Sequence, residues 1–351
     1  GLVIITTLSY GLFSTNLGFY WDDWPSLWAL SRFPFSKFVE FAAYDRPVMV
    51  FIQYFLFLVL GTKPFLWHFL IVVLYLFCAT MILLIGNRLS PNRINESAAV
   101  TVLVLCYPGF LAHSFSVTYA PYILQLLLIL VSFYALIHSY KDRSRYLYWM
   151  GLSLSTCLLC HSISEYFIGY EFLRPLFISL SLASGAVAHH QRIKNTLKEW
   201  SPYILVLCIY GIGRYLFFRT NRVEVDPVVF INQLVSDPML FLAKRAGFVV
   251  PDVLDVTLLG WAKVFTVDML LHEGIILALF VGLVTAAIAY VFLTRCADQQ
   301  NSSDCRSQIS WARDGGIIGV LLIGFGMAPL WFSGVNASLN ERYGGFELPA
   351  I

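Results

Sequence analysis

The chain has 351 residues, of which 58% are hydrophobic, 16% aromatic and 13% charged, with a mean hydropathy of +0.73; this composition excludes a soluble globular domain. A formal net charge of +2, with the basic residues dealt out between apolar runs, excludes a nucleic-acid partner. The expected fold class is all-α, a polytopic transmembrane helical bundle in a single domain over 1–351.

A helix needs roughly 20 apolar residues to cross the hydrocarbon core, and about nine runs approach that length. In chain order they are Leu2 to Leu17, Phe65 to Gly86, Ser97 to Ala112, Tyr122 to His138, Leu147 to Cys160, Phe167 to Ala188, Pro202 to Phe218, Gly274 to Thr294 and Gly315 to Phe332. The run Pro47 to Leu60, bounded by Arg46-Pro47 and Gly61-Thr62-Lys63-Pro64, is short enough to read as re-entrant or interfacial. With that choice, Arg88 and Arg93, then Lys141, Arg143 and Arg145, then Arg192, Lys194 and Lys198, then Arg295, Arg306 and Arg313 share one side, which the positive-inside rule makes cytoplasmic. A first loop over 18–64 and a long loop over 219–262 then face outward. Asp226-Pro227, Asp237-Pro238 and Pro251-Asp252 break helices in the long loop. Gly1 at the start and Leu348-Pro349-Ala350-Ile351 at the end lead us to expect a trimmed chain, and nothing resembling a cleavable signal surrounds the first run.

The first outer loop opens with Phe19-Tyr20-Trp21-Asp22-Asp23-Trp24-Pro25, two adjacent carboxylates flanked by rings that favour headgroup depth. Idle charge is costly there. The structural alternative is that Asp23 caps a short helix whose early Pro25 suits a first turn, leaving Asp22 solvated. Arg46 is either a phosphate ligand or an interfacial anchor. Glu165 and Glu171, beyond His161, are acceptor or metal ligands, or loop acids capping the next helix. His68 and His113, near outer helix ends, are substrate or metal candidates beside the plainer reading of interfacial imidazoles. Cys157-Leu158-Leu159-Cys160-His161 fits the haem-attachment pattern, but its cysteines close an apolar span and no cytochrome-sized domain follows, so packed helix cysteines are expected and haem is not. Cys78, Cys106, Cys208, Cys296 and Cys305 form no extracellular staple pattern. Asn336-Ala337-Ser338 is an outward sequon.

The acidic pair, then Tyr44-Asp45-Arg46-Pro47, then Gly61-Thr62-Lys63-Pro64-Phe65-Leu66-Trp67-His68 and a span ending in Gly86-Asn87-Arg88-Leu89 resemble the GT-C superfamily of membrane glycosyltransferases. Protein O-mannosyltransferases and aminoarabinose transferases are its better-known members. The resemblance is firmest from Gly18 to Leu89. Glu341-Arg342-Tyr343 and Leu348-Pro349-Ala350 are similar to a later segment of such enzymes. It implies transfer of a sugar from a polyprenyl-phosphate donor to an acceptor lipid, glycan or protein on the outer face. On this resemblance Asp22 is the base and Asp23 its partner, in either order, with a divalent ion such as Mg or Mn an open requirement. Arg46 and Arg342, with Lys63, Lys244 and Arg245 behind them, are the candidates for the donor phosphate, whose charge grows as it leaves. The expected location is a bacterial plasma membrane in preference to the endoplasmic reticulum. The rival is a transporter or lipid flippase, which would place ionisable groups near the bilayer midplane; by sequence the charges cluster at helix ends.

Overall fold

The computed structural model describes residues 1–12, 14–42, 46–107, 114–182, 189–217, 232, 234–262, 275–297 and 305–333. The chain is all-α, with no strand among these residues. Its helices are α1 (Leu2–Thr6, continued by a π turn Thr7–Gly11), α2 (Asp23–Arg32), α3 (Phe35–Ala42), α4 (Pro47–Leu60), α5 (Pro64–Leu89), α6 (Ile94–Leu105), α7 (Ser116–Lys141), α8 (Tyr146–Ile163), α9 (Arg174–Leu182), α10 (His189–Phe217), α11 (Pro238–Leu254), α12 (Ile275–Ala297) and α13 (Cys305–Ser333). Short 3-10 turns, Arg143–Arg145 and Ile168–Leu173, precede α8 and α9.

The starts follow local chemistry. Pro47, Pro64 and Pro238 each occupy a first-turn position, where the missing N–H costs nothing. The Asp237 side chain accepts from Leu240 N at 3.0 Å and so caps α11. Gly61 ends α4 at φ +60°, a conformation that suits glycine, and its carbonyl accepts from Trp67 Nε1 at 2.9 Å, which fixes the turn into α5.

Among the described residues, α5 and α7 are the two helices long and apolar enough to cross a bilayer, with 26 residues each. At 1.5 Å per residue that is about 39 Å, more than the ~30 Å hydrocarbon core. Other expected spans have different bounds. The helix expected over Leu2 to Leu17 stops at Gly11, and that over Ser97 to Ala112 runs from Ile94 to Leu105. Pro202 to Phe218 is the apolar half of the longer α10, whose first turns carry Arg192, Lys194 and Lys198. Within Phe167 to Ala188, expected as one span, the described residues form a 3-10 turn over Ile168–Leu173 and then α9, and 183–188 lie outside the described residues; Pro175 sits in the first turn of α9, and Glu171 and Arg174 are buried at the junction.

α7 is the axis of the core. Trp67, Ile71 and Leu74 of α5 pack with Val117, Ala120 and Ile123 of α7, and the rings of Tyr10 and Tyr75 stack at 4.3 Å to bring α1 against α5. α7 and α8 approach through small polar residues. Ser132 Oγ donates to Ser153 O at 2.6 Å, and Ser153 Oγ returns a bond to Ser132 O at 2.7 Å. Gln125 Nε2 donates to Cys160 O and Ser164 O, while Ser164 Oγ donates back to Gln125 Oε1. Such reciprocal bonds satisfy every polar group involved where no water is at hand.

The contacts sort the chain into two ends. At one, Lys141 Nζ reaches Arg88 O, and Tyr140 and Tyr146 donate to Glu199 on α10. At the other lie Gly18 against His68, Asp23 against the start of α7, and Arg46 against Glu165 and Tyr122. Both termini of α4 belong to this second end.

Candidate functional site

The acidic pair divides into two environments. Asp22 is exposed at the N-cap position of α2 and makes no side-chain cap bond there. Asp23 is fully buried, and its Oδ1 accepts from the backbone N–H of Val117 and Thr118, at 3.0 and 2.9 Å. It therefore supplies to α7, from 94 residues away, the cap that α7's own N-cap residue Phe115 lacks. A carboxylate facing a helix N-terminus is favoured by the unpaired N–H groups and the dipole. Burial still prevails and pushes the Asp23 pKa up from 3.8 to about 6, against the pull of the Thr118 and Val117 bonds. The residue before the pair, Trp21, has φ +43°, a left-handed conformation that costs a bulky residue ~1–3 kcal/mol. This strain is held in place by the Asp23 anchor on one side and the Trp21–Phe115 ring contact at 5.5 Å on the other.

A row of rings runs from this loop along α7. Phe115 meets Tyr119 at 6.0 Å, Tyr119 meets Tyr122 at 5.6 Å, and Tyr122 meets Tyr166 at 5.3 Å between centroids. Positions 115, 119 and 122 are spaced by four and three, so they share one helix face.

The row ends at an ionic clamp. Arg46 Nη2 donates to Glu165 Oε1 at 2.7 Å and Nη1 to Tyr122 OH at 2.8 Å, with the guanidinium carbon 5.0 Å from the Tyr166 ring centre. Arg214, in the last turns of α10, donates from Nη2 to the other Glu165 oxygen at 3.2 Å. Burial alone would raise the Glu165 pKa, but Arg46 and Arg214 hold it below the ordinary carboxylate value. Burial likewise opposes the charge on Arg46, and Tyr122 and Glu165 more than offset it, so its pKa is raised. Two guanidiniums thus converge on the one carboxylate of Glu165. Arg46 Nε is buried and donates to no described group.

A second polar cluster is deeper. Arg174 Nε and Nη2 engage both oxygens of Glu171, and Nη2 also donates to Ser132 Oγ at 2.8 Å. The guanidinium lies 3.9 Å from the Tyr203 ring centre, and Tyr203 OH donates to Ser153 Oγ at 2.6 Å. Ser132 and Ser153 are close to mid-length in α7 and α8, so this fully buried ion pair sits at half height in the bundle. The expectation that charge is confined to helix ends is corrected here: sequence position put Glu171 near an end, and the 3-10 turn carries it inward.

Among the described residues, one group has metal-ligand spacing: Cys157, His161 and Glu171. Thiol and imidazole donors suit soft or borderline ions, not Mg or Mn, and Glu171 is already engaged by Arg174 on both oxygens. Asp23 commits Oδ1 to two N–H groups and its Oδ2 is buried with no partner among the described residues, which leaves Asp22 as the one exposed carboxylate of the pair. These residues do not assemble the oxygen ligand set a hard divalent ion needs. Nor do the C-x-x-C-H thiols face a haem: Cys157 Sγ is directed at Glu171 and Cys160 Sγ at Gln125 O.

Of the other candidates, His68 is buried with Nε2 2.9 Å from Gly18 O, where it anchors the start of the outer loop. Lys63 is exposed at the start of α5, and Lys244 is exposed in α11. His113, Arg342, Asn336 and the Arg245 side chain lie outside the described residues. Arg214 was missed from sequence. Its signal is a basic residue in the last turns of an apolar span at the end the positive-inside rule leaves uncharged. Comparison of the chain with protein-family models, with curated proteins and with solved structures gives no match.

Proposed function

We propose that this chain is a polytopic membrane glycosyltransferase of the GT-C kind that transfers a sugar from a polyprenyl-phosphate donor to an acceptor at the end of the bundle carrying the acidic pair. The observation that carries the reading is the Arg46–Glu165–Arg214 clamp, with two guanidiniums together and a buried Arg46 Nε that donates to no described group. A phosphate oxygen would satisfy that donor with a charge-assisted hydrogen bond. Arg46 and Arg214 then take the phosphate. Asp22, exposed and uncommitted to the fold, is the base; geometry ranks ahead of pKa, and the oxygens of Asp23 are enclosed. In the transfer, the bond from the anomeric carbon to the phosphate oxygen breaks as a bond from the acceptor oxygen forms. The acceptor proton passes to Asp22, and the electron pair leaves with the phosphate toward the guanidiniums. The ring row between Asp22 and the clamp offers faces on which sugars stack.

The test is native mass spectrometry of the purified protein with added polyprenyl-phosphate sugar. Retained lipid that is lost in Arg46→Ala and kept in Asp22→Asn supports the assignment, and with a competent acceptor Asp22→Asn should lower turnover by about 10²–10⁴-fold, the range for general-base loss. Absence of retained lipid in the wild-type protein sinks it. A second reading, a transporter or lipid flippase, is favoured by one observation: the Glu171–Arg174 pair at half height, where ionisable groups usually mark a path. Its enclosure by Tyr203 and Phe133 rings and the saturation of its donors favour a structural clasp. Lipid translocation by liposomes containing the protein, abolished in Glu171→Gln, would reverse that preference.

A further inference from the structure

At the opposite, basic end of the bundle, α9 and α10 enclose a pocket of about 410 Å³ that the glycosyltransferase reading leaves unused. Its walls are of two kinds. Leu176 of α9 and Ile193 and Leu197 of α10 are apolar, and the last two are about half exposed on the outer surface of the bundle. The polar part comes from Arg192 and Thr196, one turn apart on the same face of α10. Arg192 Nε and Nη2 both donate to Ser179 O, at 2.9 and 2.6 Å, which fixes the guanidinium at the pocket and leaves its other N–H bonds available. The Thr196 hydroxyl is more than nine-tenths buried and meets no hydrogen-bond partner among the described residues. No carboxylate among the described residues lines the pocket. Lys194 and Lys198 stand exposed on the same helix, and the nearest acid on α10, Glu199, is occupied by the hydroxyls of Tyr140 and Tyr146.

We infer that this pocket binds the phosphate of an anionic phospholipid, with Arg192 and Thr196 holding the headgroup and Leu176, Ile193 and Leu197 lying along its acyl chain. A fixed cation and a buried hydroxyl on one row of α10, beside a row of apolar side chains that is half exposed on the bundle surface, match a molecule with one phosphate and a hydrocarbon tail. A soluble phosphate would not use the apolar wall, and an alkyl chain alone would leave the cation and hydroxyl unmatched. The size lies within the range of small-molecule sites, and basic pockets between helices on the cytoplasmic side favour anionic headgroups. The site is at the other end of α7 from the Arg46 clamp, so it is a lipid site separate from the proposed donor.

Purified protein is equilibrated with equal amounts of phosphatidylglycerol and phosphatidylcholine and examined by native mass spectrometry. The wild-type protein should retain phosphatidylglycerol preferentially. Arg192→Gln should lower that retention about five-fold, as expected for one basic side chain near a lipid phosphate. Leu176→Trp, which fills the pocket without touching the Arg192–Ser179 bonds, should lower it as well. Thr196→Val should weaken it while leaving thermal unfolding unchanged, and Lys194→Gln, outside the pocket, should retain as the wild type does. Retention of both lipids alike, or unchanged retention in Leu176→Trp, overturns the inference. Displacement by glycerol 3-phosphate overturns it too, in favour of a soluble phosphate. Polyprenyl-phosphate has a different mass, so loss of the donor and loss of this lipid are read separately in one spectrum.

Discussion

Neighbouring carboxylates with the same chemistry can have separate tasks, and Asp22 and Asp23 differ because of one distant partner. Nothing local says which is buried; the N–H groups that decide it belong to Val117 and Thr118. Adjacency therefore showed that the loop matters but not the division of labour. The raised pKa of Asp23, about 6, has a definite consequence for stability. Between pH 4 and 6 the folded state binds its proton more tightly than the unfolded state does, so stability falls as pH rises through that window and stays lower above it. Two pKa units correspond to roughly 3 kcal/mol as an upper bound. Asp23→Asn keeps an acceptor for both N–H groups and removes the charge, so thermal unfolding should lose this pH dependence and the protein should gain stability at pH 7.5. Asp23→Ala leaves α7 uncapped and should fall below the asparagine variant by about 1 kcal/mol, the usual worth of a cap. Equal pH profiles for wild type and Asp23→Asn would show that Asp23 is not buried as described. Glu165 has the opposite sign: its lowered pKa means that the clamp stabilises above the ordinary carboxylate pKa and loses that contribution as pH falls through the folded value.

Helix ends written in local chemistry were legible; junctions set by tertiary partners were not. α4 has the limits expected from Arg46-Pro47 and Gly61-Thr62-Lys63-Pro64, because proline starts and glycine stops act within a turn. The break before α9 was hidden because Glu171 and Arg174, charges that hydropathy counts against a span, neutralise one another only when folded. Removing half of such a pair leaves a buried charge, so Arg174→Met should cost about 3–5 kcal/mol, and Glu171→Leu in the same chain should restore most of it. Denaturation of the two variants in one detergent checks this, and equal losses for the single and the double variant would mean that the pair does not hold α9 in place. Close approach of α5 and α6 is set by Gly86, where an added Cβ would fall 2.5 Å from Ser97 Oγ and 2.8 Å from its Cβ. A serine so short has no room to turn aside, so Gly86→Ala should destabilise by about 1–3 kcal/mol through overpacking, and Gly86→Ala with Ser97→Gly should recover it.

For the whole molecule, the decisive question is whether α4 crosses the membrane, because the side that Asp22 faces depends on it. Its length of 14 residues corresponds to about 21 Å, short of a ~30 Å core, and its two termini contact residues at one end of α7 and α5. On the proposed reading the positive-inside rule makes the end bearing Arg88, Lys141 and Lys194 cytoplasmic and turns the acidic pair and the clamp outward. Cysteine placed at Lys37, Lys63 or Lys194, each exposed, and reacted in intact cells with a membrane-impermeant maleimide, reads this directly. Lys37→Cys and Lys63→Cys flank α4 and should both label from outside, whereas Lys194→Cys should label only after permeabilisation. Labelling of Lys37→Cys and Lys63→Cys from opposite sides would make α4 a span. The acidic pair and Arg46, which both precede α4, would then lie together on the cytoplasmic face, and transfer between them could not take place on the outer face. The glycosyltransferase geometry requires the first pattern.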